Sequence, residues 1–339
     1  MTATEVRGAV AQIAVLGPGS WGTALSLLLC RNGHKVRLWG HDPDEIADLQ
    51  KVRENRRFLP GVSLPDALSP TTDLEEALAG IDFLLIAVPS HAFAQVIDQL
   101  KGRLPLGLGV VWATKGFAPG EADLLHEVAA HLGERQLAVI SGPSFAGEVA
   151  RQMPTAVTVA ATVPEFGQQL VALLHSECFR AYTSDDLIGV EVSGAAKNVL
   201  AIATGIADGL GFGANARAAL ITRGLTELSR LGVALGGRRE TFTGLSGLGD
   251  LVLTCTDNQS RNRRMGLALA KGQSVDDAKR EIGQEVEGVL TARSVQQIAT
   301  RLGVEMPISE QVHRVLYERV SPEDATRALL ERDARSEFD

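Results

Sequence analysis

The chain has 339 residues, of which 45% are hydrophobic, 22% charged and 4% aromatic, with 35 glycines and 13 prolines in no repeating period. That balance excludes a mostly disordered or collagen-like chain, and the length predicts two domains. A formal net charge of −8 argues against a general electrostatic grip on nucleic acid or an anionic membrane, so an anionic ligand must be held by a local cluster of donors.

The first twenty residues carry Glu5 and Arg7 and no apolar signal-peptide core, which predicts a cytoplasmic protein. Residues 11–16 (AQIAVL) read as a strand that ends at Gly17. Residues 21–31 read as a helix with Leu25, Leu28 and Leu29 on one face, stopped by Asn32-Gly33. A second strand is predicted at 36–39, a helix at 46–54, a fully apolar strand at 83–88 (FLLIAV) and a helix at 93–100. Residues 110–113, 138–140 and 156–160 are further strand candidates. Strands buried on both faces, alternating with helices, predict a parallel sheet with helices on either side.

The first strand meets the first helix at GPGSWG, whose Gly17, Gly19 and Gly22 form the dinucleotide fingerprint G-x-G-x-x-G. The first glycine permits the tight turn, the second admits a pyrophosphate close to backbone, and the third lets helix pack on strand. The helix N-terminus then faces the phosphates. The tip of the second strand should hold an acid for a ribose 2′-hydroxyl. Here it reads Trp39-Gly40-His41-Asp42, with His41 where the acid often stands. Arg53, Arg56 and Arg57 are candidate partners for a 2′-phosphate, or simply a solvated helix face; the lean is to NADP, with NAD open.

Ligands in such sheets bind at the carboxyl ends of strands. Pro89-Ser90-His91, Thr114-Lys115-Gly116 and Ser141-Gly142-Pro143-Ser144-Phe145 stand at three such ends. Lys115, a lone cation between an apolar strand and a glycine, either binds phosphate, polarises a carbonyl or snorkels to water.

From about Gly189 the alternation stops and helical patterns take over. Residues 192–207 (VSGAAKNVLAIATGIA) are small and apolar nearly all round, as in a core helix, and too short and interrupted to cross a bilayer. Lys197 and Asn198 break them. A buried ammonium needs a partner or a role, and desolvation makes a lysine a usable proton donor or acceptor near neutrality. In residues 241–264 (TFTGLSGLGDLVLTCTDNQSRNRR), Asp250 is a natural partner for Lys197. Ser260, Arg261 and Asn262 form a donor set suited to a small phosphate. Glu285 and Glu287 read mostly as a solvated face, with Glu287 beside Gly288 able to reach a ribose hydroxyl. Cys30, Cys178 and Cys255 form no CxxC pair, so neither a disulfide framework nor a metal site is expected; each reads as a small buried apolar residue.

The motifs GPGSWG, LWGHDP, WATKG, ISGPSFAGE, AAKNV, GFGANARAALITRG, GLGDLVLTCT and SRNRR occur in this order. Together, over about residues 11–320, the chain resembles bacterial NAD(P)-dependent glycerol-3-phosphate dehydrogenase. The resemblance implies an α/β fold: a Rossmann-type parallel-sheet domain that binds NAD(P) at 1–188, and an all-helical substrate and catalytic domain at 189–339. It implies reversible hydride transfer between NAD(P)H and dihydroxyacetone phosphate, giving sn-glycerol 3-phosphate for phospholipid synthesis, in a homodimer. It assigns proton transfer to Lys197, and contact with both cofactor and substrate to Lys115; the residues fit this mechanism, with Asp250 placed to orient Lys197 and Thr254 as a helper. Substrate contacts fall on Gly142, Ser144, Asp250, Ser260, Arg261 and Asn262. Cofactor contacts fall on Ser20, Trp21, His41, Phe58, Ala146, Arg261, Glu285 and Glu287, beside the three glycines. The family position at Glu285 is often apolar, which suggests a backbone contact there.

The runner-up is a ketopantoate or hydroxyacid reductase of the same architecture, which would not need the Ser260–Asn262 phosphate set. A catalytically silent NADPH-binding regulator is opposed by the intact Lys197, Asp250 and Arg261. A nucleic-acid binder is opposed by the net charge.

Overall fold

The computed structural model describes residues 9–120 and 122–333; Glu5 and Arg7, on which the expectation about the leader partly rests, lie outside them. The chain divides into two compact units: Met1–Lys115 with Leu125–Leu187, and Gly116–Leu124 with Ile188–Asp339. The short segment Gly116–Leu124 lies within the 1–188 range, yet Phe117, Ala122 and Leu124 join the core of the second unit.

In the first unit, the apolar runs of the sequence become β1 (Gln12–Leu16), β2 (Lys35–Trp39), β4 (Phe83–Ile86), β5 (Val110–Trp112), β6 (Leu137–Ser141) and β7 (Thr155–Ala161). Two edge-side strands join them, β3 (Leu68–Thr71) and β8 (Phe179–Ser184), in one sheet of order β3-β2-β1-β4-β5-β6-β7-β8. The flanking helices are α1 (Ser20–Arg31), α2 (Pro43–Val52), α3 (Leu74–Leu78), α4 (Ser90–Leu100), α5 (Leu125–Ala129), α6 (Ala146–Ala150) and α7 (Pro164–Leu174). Leu16 pairs with both Trp39 and Ile86, and Ile86 pairs with Trp112, so β1, β2, β4 and β5 end level along one edge of the sheet. Strand order reverses at β1, which makes the turn after it the topological switch point where such sheets take ligands.

The sheet departs from the all-parallel expectation at β7, which runs antiparallel to β6, and β8 follows β7 in parallel. The link between β6 and β7, residues 142–154, contains only the short α6 rather than a crossover helix, so the chain re-enters the sheet at the edge it left. β3 reads LSPT, and its Pro70 lacks a ladder donor, which is tolerated because β3 is an edge strand. α2 starts earlier than predicted because Asp42 caps it, accepting from the N–H groups of Asp44 and Glu45, and Pro43 opens it.

The second unit is helical: α8 (Leu187–Gly209), α9 (Gly213–Ala234), α10 (Arg239–Phe242), α11 (Asp250–Thr256), α12 (Arg261–Ala270), α13 (Val275–Ile282), α14 (Glu287–Leu302), α15 (Pro307–Tyr317) and α16 (Pro322–Leu330). α8 is longer than the apolar run suggested. With 23 residues and a mean hydropathy of 1.3 it is long and apolar enough to cross a membrane, but 89% of its apolar window is buried in the protein, as for a core helix. A Cβ on Gly205 would stand 2.2 Å from the Arg263 carbonyl oxygen, and one on Gly266 2.1 Å from that of Ile202. Glycine at both positions lets α8 and α12 cross backbone against backbone. All three cysteines are free, and Cys255 is buried as expected, whereas Cys30 and Cys178 are only half-buried.

Glu227 on α9 is a buried carboxylate that sequence reading passed over. It accepts from the N–H groups of Ile308 and Ser309 at 2.6 and 3.1 Å and from Ser309 Oγ at 3.0 Å, holding the first turn of α15. Burial pushes its carboxyl from 4.5 up to about 7, against the pull of those donors and of Arg230. Between these values the folded chain keeps a proton that the unfolded chain has released, so this contribution to stability is lost as pH rises from 4.5 through 7. Urea midpoints should therefore shift in favour of Glu227→Gln relative to the parent over that window. A difference that does not change with pH would contradict the assignment.

Candidate active-site clusters

The glycine turn follows β1 directly. Gly17 has φ +112°, and a Cβ on it would stand 2.8 Å from the Ala87 carbonyl oxygen; a Cβ on Gly22 would stand 2.0 Å from that of Gly17. Packing therefore demands the first and third glycines. A Cβ on Gly19 would meet nothing within 4 Å, and Gly19 caps α1 without a side-chain hydrogen bond. The open approach, an N-terminus without a side-chain cap and the helix dipole suit a pyrophosphate, so the residues present fit a dinucleotide. Ser20 and Trp21 stand in the first turn of α1.

Further along the same edge, His41 is exposed, while the Asp42 carboxylate is occupied in capping α2 at 3.0 and 3.2 Å. Arg53 leaves the set of candidate 2′-phosphate partners, because its Nη2 donates to the carbonyl oxygens of Pro65 at 2.6 Å and Leu68 at 2.9 Å. Arg56 stands 3.9 Å from Glu54, and the Arg57 guanidinium lies 4.8 Å from the centre of the Phe58 ring. Arg56 and Arg57 share a pocket of about 230 Å³ with Asp42, Asp44, Glu45 and Asp48. Burial pushes the Glu45 carboxyl up; Arg57 opposes that shift, Asp42 adds to it, and His41 opposes it.

At the end of β5, Lys115 Nζ donates to the Gly142 carbonyl oxygen at 2.9 Å, and Ser144 Oγ donates to the same oxygen at 2.9 Å. Gly142 has φ +144°, a conformation that glycine accommodates. Lys115, Gly142 and Ser144 thus come together as expected from their strand ends, and Ala146 begins α6 shortly after.

In the second unit, α8 carries Lys197 in its middle. Lys197 is 6% exposed and Asp250 1%. Lys197 Nζ donates to Asp250 Oδ1 at 2.6 Å and to Thr254 Oγ1 at 2.7 Å, and Thr254 Oγ1 donates to the Asp250 carbonyl oxygen at 2.6 Å. Asp250 and Thr254 lie one turn apart on α11, and a π-helical turn at Leu245–Gly249 delivers the chain to it. A carboxylate and a hydroxyl on one face of a helix thereby fix the direction of a buried ammonium. Removing Asp250 would take its carboxylate away from that buried ammonium, at a cost of about 3–5 kcal/mol.

Ser260 caps α12, accepting from the Arg263 N–H at 3.1 Å. Arg261 is half-buried, and among the described residues its one hydrogen bond is a 3.5 Å contact to Gln284 Oε1. Burial lowers its guanidinium from the usual value; Glu287 opposes the shift, Arg264 adds to it and Glu285 opposes it. The three predicted residues Arg261, Glu285 and Glu287 are thus electrostatic neighbours. Asn262 is largely committed to the protein. Its Nδ2 donates to Asn198 Oδ1 at 2.8 Å and its Oδ1 accepts from the Gly288 N–H at 2.9 Å, which leaves one side-chain N–H. This bridge ties the neighbour of Lys197 to the N-terminus of α14. Sequence reading singled out Asn198 only as a break in an apolar run. Arg263, in the SRNRR motif, is buried with its Nη2 paired to the Asp208 carboxylate at 2.5 Å. Among the described residues, no group of three or more His, Cys, Asp or Glu side chains is arranged to hold a metal.

A switch-point glycine turn in a largely parallel sheet, followed in sequence by a helical unit with a buried lysine, defines a class, the nicotinamide-dinucleotide-dependent oxidoreductases. The models of the NAD-dependent glycerol-3-phosphate dehydrogenase N-terminus and C-terminus match residues 12–167 and 186–327. The glycerol-3-phosphate dehydrogenase (NAD(P)+) of Stenotrophomonas maltophilia (strain K279a) is 54% identical over 329 residues, which cover 96% of each chain. The crystal structure of glycerol-3-phosphate dehydrogenase from Coxiella burnetii matches with a TM-score of 0.93 at 52% identity, covering 95% of this chain and 99% of that one. The chain belongs to the NAD-dependent glycerol-3-phosphate dehydrogenase family. It is an oxidoreductase that takes NAD or NADP. A ketopantoate reductase from Ralstonia eutropha JMP134, at 17% identity and a TM-score of 0.56, shares the fold alone, and the runner-up reading is not favoured.

Proposed function

We propose that this chain reduces dihydroxyacetone phosphate reversibly to sn-glycerol 3-phosphate, in the cytoplasm and as a homodimer, and so supplies glycerophospholipid synthesis. The observation that carries the reading is the buried Lys197–Asp250–Thr254 cluster, in a chain whose relatives bear this activity in their names. NAD(P)H, when bound, supplies the hydride that reduces the ketone carbon. Lys197 gives a proton to the carbonyl oxygen as negative charge develops there, and takes it back in oxidation. Asp250 and Thr254 hold Nζ in one direction, so the lysine spends no motion finding the oxygen.

The region 1–188 supplies most of the cofactor contacts, and 189–339 supplies the proton donor and the substrate-phosphate contacts. Gly17, Gly19, Gly22, Ser20 and Trp21 take the pyrophosphate end, His41 and Phe58 the adenosine end, and Ala146, Glu285 and Glu287 further parts of the dinucleotide. Lys115 stabilises charge on the carbonyl or cofactor side, with Gly142 and Ser144 beside it. Arg261, with its unmatched donors, binds the substrate phosphate together with the Ser260 hydroxyl and the free N–H of Asn262. With Arg53 spent on carbonyls, Arg56 and Arg57 are the guanidinium groups left to favour NADPH. Phe212 and Leu330, both exposed, are apolar surface that a second copy would cover.

The test runs the reaction backward. sn-Glycerol 3-phosphate should drive reduction of NADP+ or NAD+, with the larger kcat/KM for NADP+, and its mirror image sn-glycerol 1-phosphate should not. Equal rates with both enantiomers would overturn the substrate assignment.

A further inference from the structure

Asn55 sits in a run of charged residues after α2, yet it is 1% exposed. Its Nδ2 donates to the Pro18 carbonyl oxygen at 2.7 Å and to Thr23 Oγ1 at 2.8 Å, and its Oδ1 accepts from the Phe58 N–H at 3.1 Å. Thr23 Oγ1, also buried, donates to the same Pro18 oxygen at 3.1 Å. Pro18 stands between the first two glycines of the turn, so its carbonyl belongs to the peptide unit whose N–H is that of Gly19. In a trans peptide the C=O and N–H point in opposite directions. Two buried donors that draw the Pro18 oxygen inward therefore turn the Gly19 N–H away from them. That N–H has no acceptor among the described residues, and Gly19 is the glycine with open space around it.

We infer that Asn55 is a positioning residue for the dinucleotide: with Thr23 it fixes the Pro18–Gly19 peptide so that the Gly19 N–H is presented to the pyrophosphate. The same amide pins the Phe58 backbone, so one side chain sets both the phosphate turn and a residue assigned to the adenosine end. The inference rests on the cofactor reading of the glycine turn.

Asn55→Asp keeps the shape and the acceptor for Phe58 but loses both donated bonds and sets a carboxylate against the Pro18 oxygen. Thr23→Val keeps the volume and removes the second donor. Dissociation constants for NADPH, NADH and ADP-ribose are measured by calorimetry on the full chain, with melting curves taken without ligand. Asn55→Asp should weaken all three by about 10- to 100-fold and Thr23→Val by less. The KM for dihydroxyacetone phosphate at saturating cofactor should not move, which a general loss of structure would not spare. Variants that melt like the parent and bind all three ligands as tightly would overturn the inference. If Asn55→Asp does not fold, Thr23→Val decides alone, and parental affinity there overturns it. A parent that binds none of the three ligands overturns the cofactor reading, and this inference with it.

Discussion

Replacing Lys197 by alanine is expected to lower kcat by about 10²- to 10⁴-fold, the usual worth of a positioned general acid. The dissociation constant for NADPH should stay at the parental value, because no dinucleotide contact is assigned to this side chain. The ammonium is buried against Asp250 at 2.6 Å and Thr254 at 2.7 Å, so it is held in one place before any substrate arrives. Removing it leaves the Asp250 carboxylate buried without its cation, which lowers stability as well. A melting curve separates the two effects: a variant that is folded at the assay temperature and still slow has lost the proton donor. Parental turnover in a folded variant would remove Lys197 from the chemistry.

Arg261→Ala should instead raise the KM for dihydroxyacetone phosphate, by about 10- to 150-fold, as expected for loss of a hydrogen-bonded charge pair. Its kcat at saturating substrate should change little by comparison. The reason is the state of the guanidinium: half-buried, drawn below its usual value by desolvation, and met by one 3.5 Å contact to Gln284. Dihydroxyacetone, which lacks the phosphate, should be handled alike by variant and parent. An unchanged KM for the phosphate ester would move the phosphate site elsewhere.

The glycine turn, the Lys197–Asp250 pairing and the meeting of Lys115 with Gly142 were legible because each depends on local pattern or on a charge that cannot be buried alone. Apolar runs marked the central strands for the same reason. β3 and β8 escaped, since edge strands carry Pro70 or an alternation of buried and exposed residues rather than an apolar run. The reversal at β7 escaped because periodicity carries no strand direction. Asn55 was invisible for a further reason. It stands among charged residues, and only the fold shows that its amide is turned into the protein toward Pro18 and Thr23. Asn262 shows the converse: its motif suggested a phosphate ligand, and the fold reveals a bridge to Asn198 and Gly288 that takes most of its hydrogen-bonding capacity.

The most direct measurement is the rate of NADPH oxidation by the unaltered protein with dihydroxyacetone phosphate, set against dihydroxyacetone under the same conditions. Rapid oxidation that requires the phosphate is expected, because a half-buried arginine with unmatched donors sits at the start of α12. Oxidation that is equally fast without the phosphate, or absent with both NADPH and NADH, would contradict that expectation.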